Sequence, residues 1–340
     1  LVNLGKEPDL ARAHRWQAEL VEALDRLDLP AWRISQVISD HNDWLYRRAI
    51  DLSLNEMQGH GWGPPPVAWC VLTMGSVARH ESLMAPDQDN AMIIADYPDS
   101  RHTEIDGYFQ ALGERFANRL DEAGIPLCQG QVMARWPMWR KRLGEWTEQL
   151  TIWTRGRQVK RVQQANILLD FHPVHGDASL AAALSETVTR LVTKASLFLD
   201  EMGALLEELP VALDRFGRLA GNRDGAPHDR AIDLKHQGVL PLVNAVRLLA
   251  LRQGITPPDT HSRLTARVMC EALQAERARG LHKALERLQE LLLDEQRRAL
   301  QEGRTPDGWV DIDRLGEDQT LMLRHDLQQI RGLMRHARKA

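Results

Sequence analysis

The stretch TMGSVARHESLMAPDQDNAMII (73–94) leaves this chain few folds to choose from. It begins inside an apolar run, VAWCVLTM (67–74), that is bounded by Pro66 and Gly75, and it ends inside a second, NAMIIAD (90–96). Short apolar runs between breakers read as buried strands. Between them SVARHESL (76–83) has room for about two helical turns. A loop then delivers Asp87-Gln88-Asp89 to the second strand. Residues two apart on extended backbone point to one side, so the spacing predicts both carboxylates on the same face. Strand, tight turn, short helix, acidic pair and strand in such quick succession predict a small sheet with helices packed on it.

The same residue types carry chemistry. Gly75 lets a ligand come close to backbone. Ser76 opens the helix, where N–H groups and the positive dipole end attract phosphate. Asp87 and Asp89 suit a hard cation, and Mg²⁺ takes oxygen ligands together with substrate phosphates. Each piece alone has an ordinary reading: Gly-Ser as a turn, and an Asp-x-Asp pair as a solvated loop or helix cap. In this order, with strands on both sides, they predict metal-assisted phosphoryl transfer.

Elsewhere the periodicity is mostly helical. Residues 8–58 repeat apolar positions at three and four, with Pro30 separating two segments, until GHGWGPPP (59–66) breaks the pattern. A helix is expected over 103–123, ending at Gly124. Strands are expected at LCQGQVMA (127–134) and QQANILLDF (163–171), with a Trp-rich helical stretch between them at 137–155. From 178 onward helix dominates, over 178–209, 211–220, 238–253, 260–301 in pieces and 315–338, with a stop at Gly254 before Pro257 and Pro258. The division expected is a helical N-terminal arm (1–60), a catalytic core (61–178) and a helical region (179–340).

Composition narrows the classes. Charged residues make up 26% and hydrophobic residues 43%, which does not suggest disorder, and a net charge of −4 gives no global attraction to nucleic acid or anionic lipid. Three widely spaced cysteines, Cys70, Cys128 and Cys270, make no disulfide framework and no zinc signature; Cys70 and Cys128 lie in apolar runs and read as buried thiols. No apolar run is long enough to span a bilayer and no signal-peptide layout opens the chain, so a reducing cytoplasm is expected. A first residue of Leu rather than Met suggests a piece of something longer.

Gly-Ser followed after about ten residues by Asp-x-Asp resembles the signature of the DNA polymerase β nucleotidyltransferase superfamily. The longer string, Gly75, Ser76, Arg79, Glu81, Asp87, Gln88, Asp89 and Asn90, resembles a bacterial family of nucleotidyltransferases related to the PII-protein uridylyltransferases. That family is often linked to CBS or cyclic-nucleotide-binding domains. CQGQVMARWPMW (128–139) looks like its middle segment and ANILLDFHPVHGD (165–177) like its third motif. DLKHQGVLPLVNAVRLLALRQGI (233–255) is similar to its C-terminal substrate-binding domain.

The resemblance implies an α+β fold: a polymerase β-like core of small mixed sheet and flanking helices, between a helical arm and a helical bundle. It implies Asp87, Asp89 and Asp170 as catalytic residues and metal ligands, with Mg²⁺ (or Mn²⁺) as cofactor. Gly75, Ser76 and Arg79 would contact the nucleotide, with Arg79 able to pair instead with Glu81. Implied partners are a nucleoside triphosphate, a protein acceptor and a regulatory domain preceding this chain, without membrane or nucleic acid. The sequence departs from the family in having Val77-Ala78 where Glu-Gly is usual, and His172 where Arg often stands.

Other signals read more plainly. Trp139, Trp146 and Trp153, seven apart, predict one buried helical face, with Arg140, Lys141, Arg142, Arg155, Arg157, Lys160 and Arg161 solvated around it. Lys235 is a solvated lysine or a substrate contact. Thr260 and Arg263 suit a helix cap and an exposed face. His172 and His175 do not complete a zinc ligand set on their own. The expected activity is transfer of uridylyl or adenylyl to a hydroxyl, with release of pyrophosphate. Its alternatives are a nucleotide-sensing regulatory module and a nucleic-acid-tailing enzyme.

Overall fold

The computed structural model describes residues 9–155, 159–220, 225–227, 229–269 and 273–339, without the side chains of 159–161 and 267–269. Arg157 and Cys270 lie outside the described residues, as do the side chains of Lys160 and Arg161. The fold is α+β, and the chain forms two compact units.

The first unit takes in residues up to 23, 36–152 and 164–188. The chain opens with helices α1 (Leu10–Asp25) and α2 (Ala31–Gly59), and Pro30 stands immediately before the second. After the Gly- and Pro-rich break come strand β1 (Trp69–Met74), a single helical turn α3 (Gly75–Ala78) and strand β2 (Asn90–Ile94). Helix α4 (His102–Glu122) follows, then strand β3 (Arg140–Arg142), α5 (Leu143–Thr154), α6 (Val159–Leu168) and strand β4 (Phe171–Gly176).

The sheet order is β3-β2-β1-β4, with β1 antiparallel to both neighbours and β2 parallel to β3. Every residue of β1 and β2 is buried, as central strands covered on both faces must be. Strand β4 lies at the edge, where Pro173 is tolerated, and the register slips opposite Val71/Leu72. Leu45, Tyr46, Ala49, Ile50 and Met57 of α2 share one apolar core with Val71, Met92 and Ile94 of the sheet and Phe109, Leu112 and Phe116 of α4.

The second unit comprises 24–35, 153–163 and 189–340. Helix α7 (Ala178–Val192) leads into it, followed by α8 (Ser196–Glu208), strand β5 (Ala231–Asp233), a π-turn at Lys235–Val239 and α9 (Leu240–Arg252). Then come α10 (Thr260–Met269), α11 (Ala275–Gln301), strand β6 (Trp309–Asp311) and α12 (Glu317–Lys339). Helix α9 is the hub: Pro241 to Leu251 are all buried, and α8, α10 and α12 pack around it. A helix buried on every side belongs at the centre of a bundle, and of its polar members Arg247 donates to the Asn244 side-chain oxygen at 2.8 Å. Asp326 of α12, fully buried, is held by Arg287 of α11 with Nε–Oδ2 at 2.6 Å. β5 and β6 form a two-stranded antiparallel ribbon that no periodicity announced.

Several expectations are corrected. The run 163–171 is not a strand: helix α6 continues to Leu168 and the strand begins only at Phe171. Residues 127–134 form no strand beyond a bridge from Leu127 to Gln88. The short helix after Gly75 has one turn, not two. Residues 211–220 form a turn closed by a Leu213–Leu219 bridge, because the Asp214 carboxylate accepts from the N–H groups of Phe216 and Arg218 and Gly217 is left-handed. The Trp stripe is not one helix: Trp139 sits in a 3₁₀ turn, whereas Trp146 and Trp153 lie on α5. All three are buried, and the Trp146 indole donates to the Met92 carbonyl at 3.0 Å. Arg140 and Arg142 are not simply solvated, since Arg140 is paired with Asp106 and Arg142 with Asp99 and Glu145. Arg263, expected on an exposed face, is buried.

Candidate active site

Three strand ends meet at one end of the sheet. β1 finishes at Met74, β2 starts at Asn90 opposite Thr73, and β4 starts at Phe171 opposite Met74. Gly75, Asp89 and Asp170 are therefore the first residues beyond three adjacent strands. Backbone hydrogen bonds fix them: Met74 N–H donates to the Asp89 carbonyl at 3.0 Å, and Gly75 N–H donates to the Asp170 carbonyl at 3.2 Å.

The Asp-x-Asp segment alternates as extended backbone should. Asp87 is exposed and Asp89 half-buried, while Gln88 and Asn90 are fully buried on the other side. The Gln88 amide donates to the carbonyls of Ala117 and Ile125 at 2.9 and 2.8 Å. The Asn90 carbonyl oxygen accepts from Ala134 N–H at 2.8 Å, and its amide donates to the Tyr46 hydroxyl at 3.4 Å. Gln88 and Asn90 thus anchor the segment from behind and hold the 125–134 loop, whose backbone groups are used in this way rather than in a ladder.

Asp87 and Asp89 come together with Cys128, one ligand atom of each lying within 4.8 Å of the others. The Cys128 thiol lies beside the Asp89 carboxylate; burial first, then the two aspartates, push this thiol up to about 12, against a lowering hydrogen bond from Val132. It stays a protonated thiol at neutral pH, leaving a donor set of carboxylate oxygens. Such a set fits a hard divalent cation. Gly75 fits the same purpose, because a Cβ there would stand 3.3 Å from Asp89 Oδ2 and crowd the front of the carboxylate.

Gly75 is also left-handed, with φ +65°. Gly75→Ala is expected to lower stability by about 1–2 kcal/mol from that conformation alone and to displace Asp89. Denaturant unfolding and metal titration measure the two effects, and a fully stable variant with unchanged metal affinity would contradict this account.

Asp170 is placed differently from the other two aspartates. It is fully buried, it does not join the 4.8 Å group, and its Oδ2 accepts from Arg79 Nη1 at 2.9 Å. Arg79 is itself buried and its Nε donates to Glu81 at 2.8 Å. Burial opposes the guanidinium's charge, but Glu81 and then Asp170 outweigh it and raise its pKa. The structure therefore gives Arg79 to the two carboxylates rather than to an open phosphate site. Ser76, half-buried, follows Gly75 at the first turn of α3, and its carbonyl accepts from Glu81 N–H. Lys235 belongs to the second unit, exposed at the start of the π-turn.

Cys128 as a partner of Asp89 escaped the sequence reading, which saw only a thiol in an apolar run. Cys70 is likewise buried and pushed up to about 12, by burial and then by Asp177. Since the thiolate is the nucleophile, both should resist iodoacetamide at pH 8 in the native protein. Peptide mass spectrometry reads this directly, and labelling of Cys128 at the rate of a small-molecule thiol would overturn its placement.

No curated protein matches the chain. Residues 15–160 match the family described as "Putative nucleotidyltransferase DUF294", a span that holds Gly75, Ser76, Asp87, Asp89 and Cys128 but ends before Asp170. Residues 196–340 match "Putative nucleotidyltransferase substrate binding domain". No helix among the described residues is long and apolar enough to cross a membrane. With the turn and acidic pair inside the first match and the α9-centred bundle inside the second, the chain belongs to this family of nucleotidyltransferases and carries its substrate-binding domain.

Proposed function

We propose that the chain transfers a nucleoside monophosphate from UTP or ATP to a hydroxyl group of a protein. The acceptor oxygen bonds to the α-phosphorus, the bond from that phosphorus to the β-phosphate oxygen breaks, pyrophosphate leaves and the hydroxyl proton passes to a base. The observation that carries this reading is the pair Asp87 and Asp89 facing one way beside the side-chain-free Gly75. Asp87 and Asp89 would hold Mg²⁺ (Mn²⁺ as a substitute), which neutralises charge on the phosphates and on the leaving pyrophosphate.

The protein's own groups do the positioning. Gly75 N–H donates to the Asp170 carbonyl, so the turn's phosphate contacts are assigned to the Ser76 hydroxyl and to N–H groups of the first turn of α3, which take no partner within a helix. Cys128 packs beside Asp89, and Gln88 and Asn90 fix its backbone. Asp170 is the third carboxylate of this reading. Its Oδ2 is held by Arg79, so it accepts the hydroxyl proton when that pair opens. In the substrate-binding domain, Lys235 is assigned to an anionic group of the substrate.

The buried Arg79–Asp170 pair also favours a second reading, a module that binds nucleotide without turning it over. One experiment separates the two. Cell lysate is incubated with the protein and isotopically labelled ATP or UTP, and both pyrophosphate release and labelled proteins are measured. A nucleotidylated protein with matching pyrophosphate is the expected result. Calorimetric nucleotide binding with no pyrophosphate from any lysate would replace transfer with sensing.

A further inference from the structure

Behind the same sheet end lies a second cluster, made by residues far apart in sequence. Asp43 projects from α2, His80 follows the α3 turn, and His172 is the second residue of β4. One ligand atom from each lies within 4.8 Å of the others. The two imidazoles stand edge to face with centroids 5.2 Å apart, and His172 Nε2 is 3.8 Å from Asp43 Oδ2.

Asp43 is the telling member. Its side chain is 2% exposed, and its Oδ1 has no hydrogen-bond partner. Its Oδ2 reaches Arg47 only at 3.6 Å. A buried carboxylate with an unsatisfied oxygen is costly unless a cation answers it. Burial in fact pushes this carboxyl up to about 6, with Arg47 and His80 lowering it and Asp40 raising it. The histidine side chains are 31% and 36% exposed, so an ion can enter from solvent.

The surroundings fit an ion as well. Asp40, one turn before Asp43 on α2, places a carboxylate oxygen 3.2 Å from His80 Nδ1, the side of the ring where carboxylates commonly stand behind metal-bound imidazoles. His80 is held with φ +55°, a strained conformation for a residue other than glycine, which sets its side chain toward the cluster side of the turn. His175, the other histidine of β4, is not available: it bonds Asp51 at 2.8 Å and stacks on Trp69. Ligands around a tetrahedral zinc stand about 3.4 Å apart, given bonds of about 2.0–2.1 Å, so the three side chains need to close by roughly 1 Å.

We infer that Asp43, His80 and His172 form a binding site for a divalent transition-metal ion of the Zn²⁺ class, separate from the Asp87–Asp89 pair. Two imidazoles and one carboxylate select such ions over Mg²⁺, which prefers oxygen donors alone. The ion ties α2 to the turn that follows Arg79 and to the strand that follows Asp170. It leaves a fourth coordination position for water or a substrate group.

The test is Zn²⁺ titration by calorimetry on the full chain, stripped with chelator and kept in excess Mg²⁺, with Co²⁺ absorption as a second readout of imidazole ligation. One equivalent of Zn²⁺ should bind to the parent protein and equally to the Asp87→Asn/Asp89→Asn variant. Binding should weaken at least about tenfold in His80→Gln/His172→Gln and in Asp43→Asn, each checked for folding by circular dichroism. No Zn²⁺ binding by the parent protein would overturn the site. So would unchanged binding in the folded histidine variant, or binding lost with Asp87 and Asp89.

Discussion

Nucleotidyl transfer should fall by about a thousandfold or more when Asp87 and Asp89 are both replaced by Asn, a loss of about 4 kcal/mol of transition-state stabilisation. The fold should survive. Asp87 is exposed and Asp89 half-buried, and the structural anchoring of the segment runs through Gln88 and Asn90. Asn keeps the shape of Asp while removing the charge that binds a hard cation. The first measurement is pyrophosphate release with labelled nucleotide. The second, independent of any acceptor, is Mn²⁺ affinity by electron paramagnetic resonance, which should also drop. A variant with intact circular dichroism, intact Mn²⁺ affinity and intact transfer would remove these residues from the chemistry. Loss of Mn²⁺ binding with intact transfer would keep the metal site but detach it from catalysis.

The parts of this site that were legible in sequence are those made by local spacing. Asp87 and Asp89 face one way because extended backbone alternates, and Gly75 can be picked out because it stands between a strand and a helix. What sequence did not show depends on partners brought in from a distance. Arg79 and Asp170 meet across 91 positions, and Cys128 reaches Asp89 from the middle of a loop. Residues 127–134 look like a strand by their apolar content, yet their backbone is claimed by side chains of the Asp-x-Asp segment and by turns of their own. The apolar run Ala165–Leu169 fits a strand, but Ala165, Leu168 and Leu169 also stand at helical spacing, and tertiary packing chose helix. β5 and β6 have three residues each, too few for a period to register. His80, expected within a helix, became a ligand candidate only once α2 and β4 were placed beside it.

Arg79→Met should cost about 3–5 kcal/mol of stability, the range for removing one partner of a buried ion pair. Methionine fills much of the space left by the arginine stem, so packing loss is small and the penalty is electrostatic. What is lost is a guanidinium paired with both Asp170, with a side chain 0% exposed, and Glu81, with a side chain 9% exposed. Arg79→Lys should recover only part of the loss, because one ammonium does not reproduce a fork that reaches two carboxylates with separate nitrogens. Adding Asp170→Asn to Arg79→Met should return about 1–2 kcal/mol, since one of the stranded charges is then gone and residues in one network are not additive. Urea unfolding of the parent, Arg79→Met, Asp170→Asn and the double variant closes the cycle. A loss below about 1 kcal/mol in Arg79→Met would mean that water or a rearranged side chain already serves Asp170, and the arginine would then be free for a phosphate after all. The same variants separate stability from turnover: if Asp170 must leave Arg79 to take a proton, Arg79→Met should weaken the fold while sparing kcat more than Asp170→Asn does.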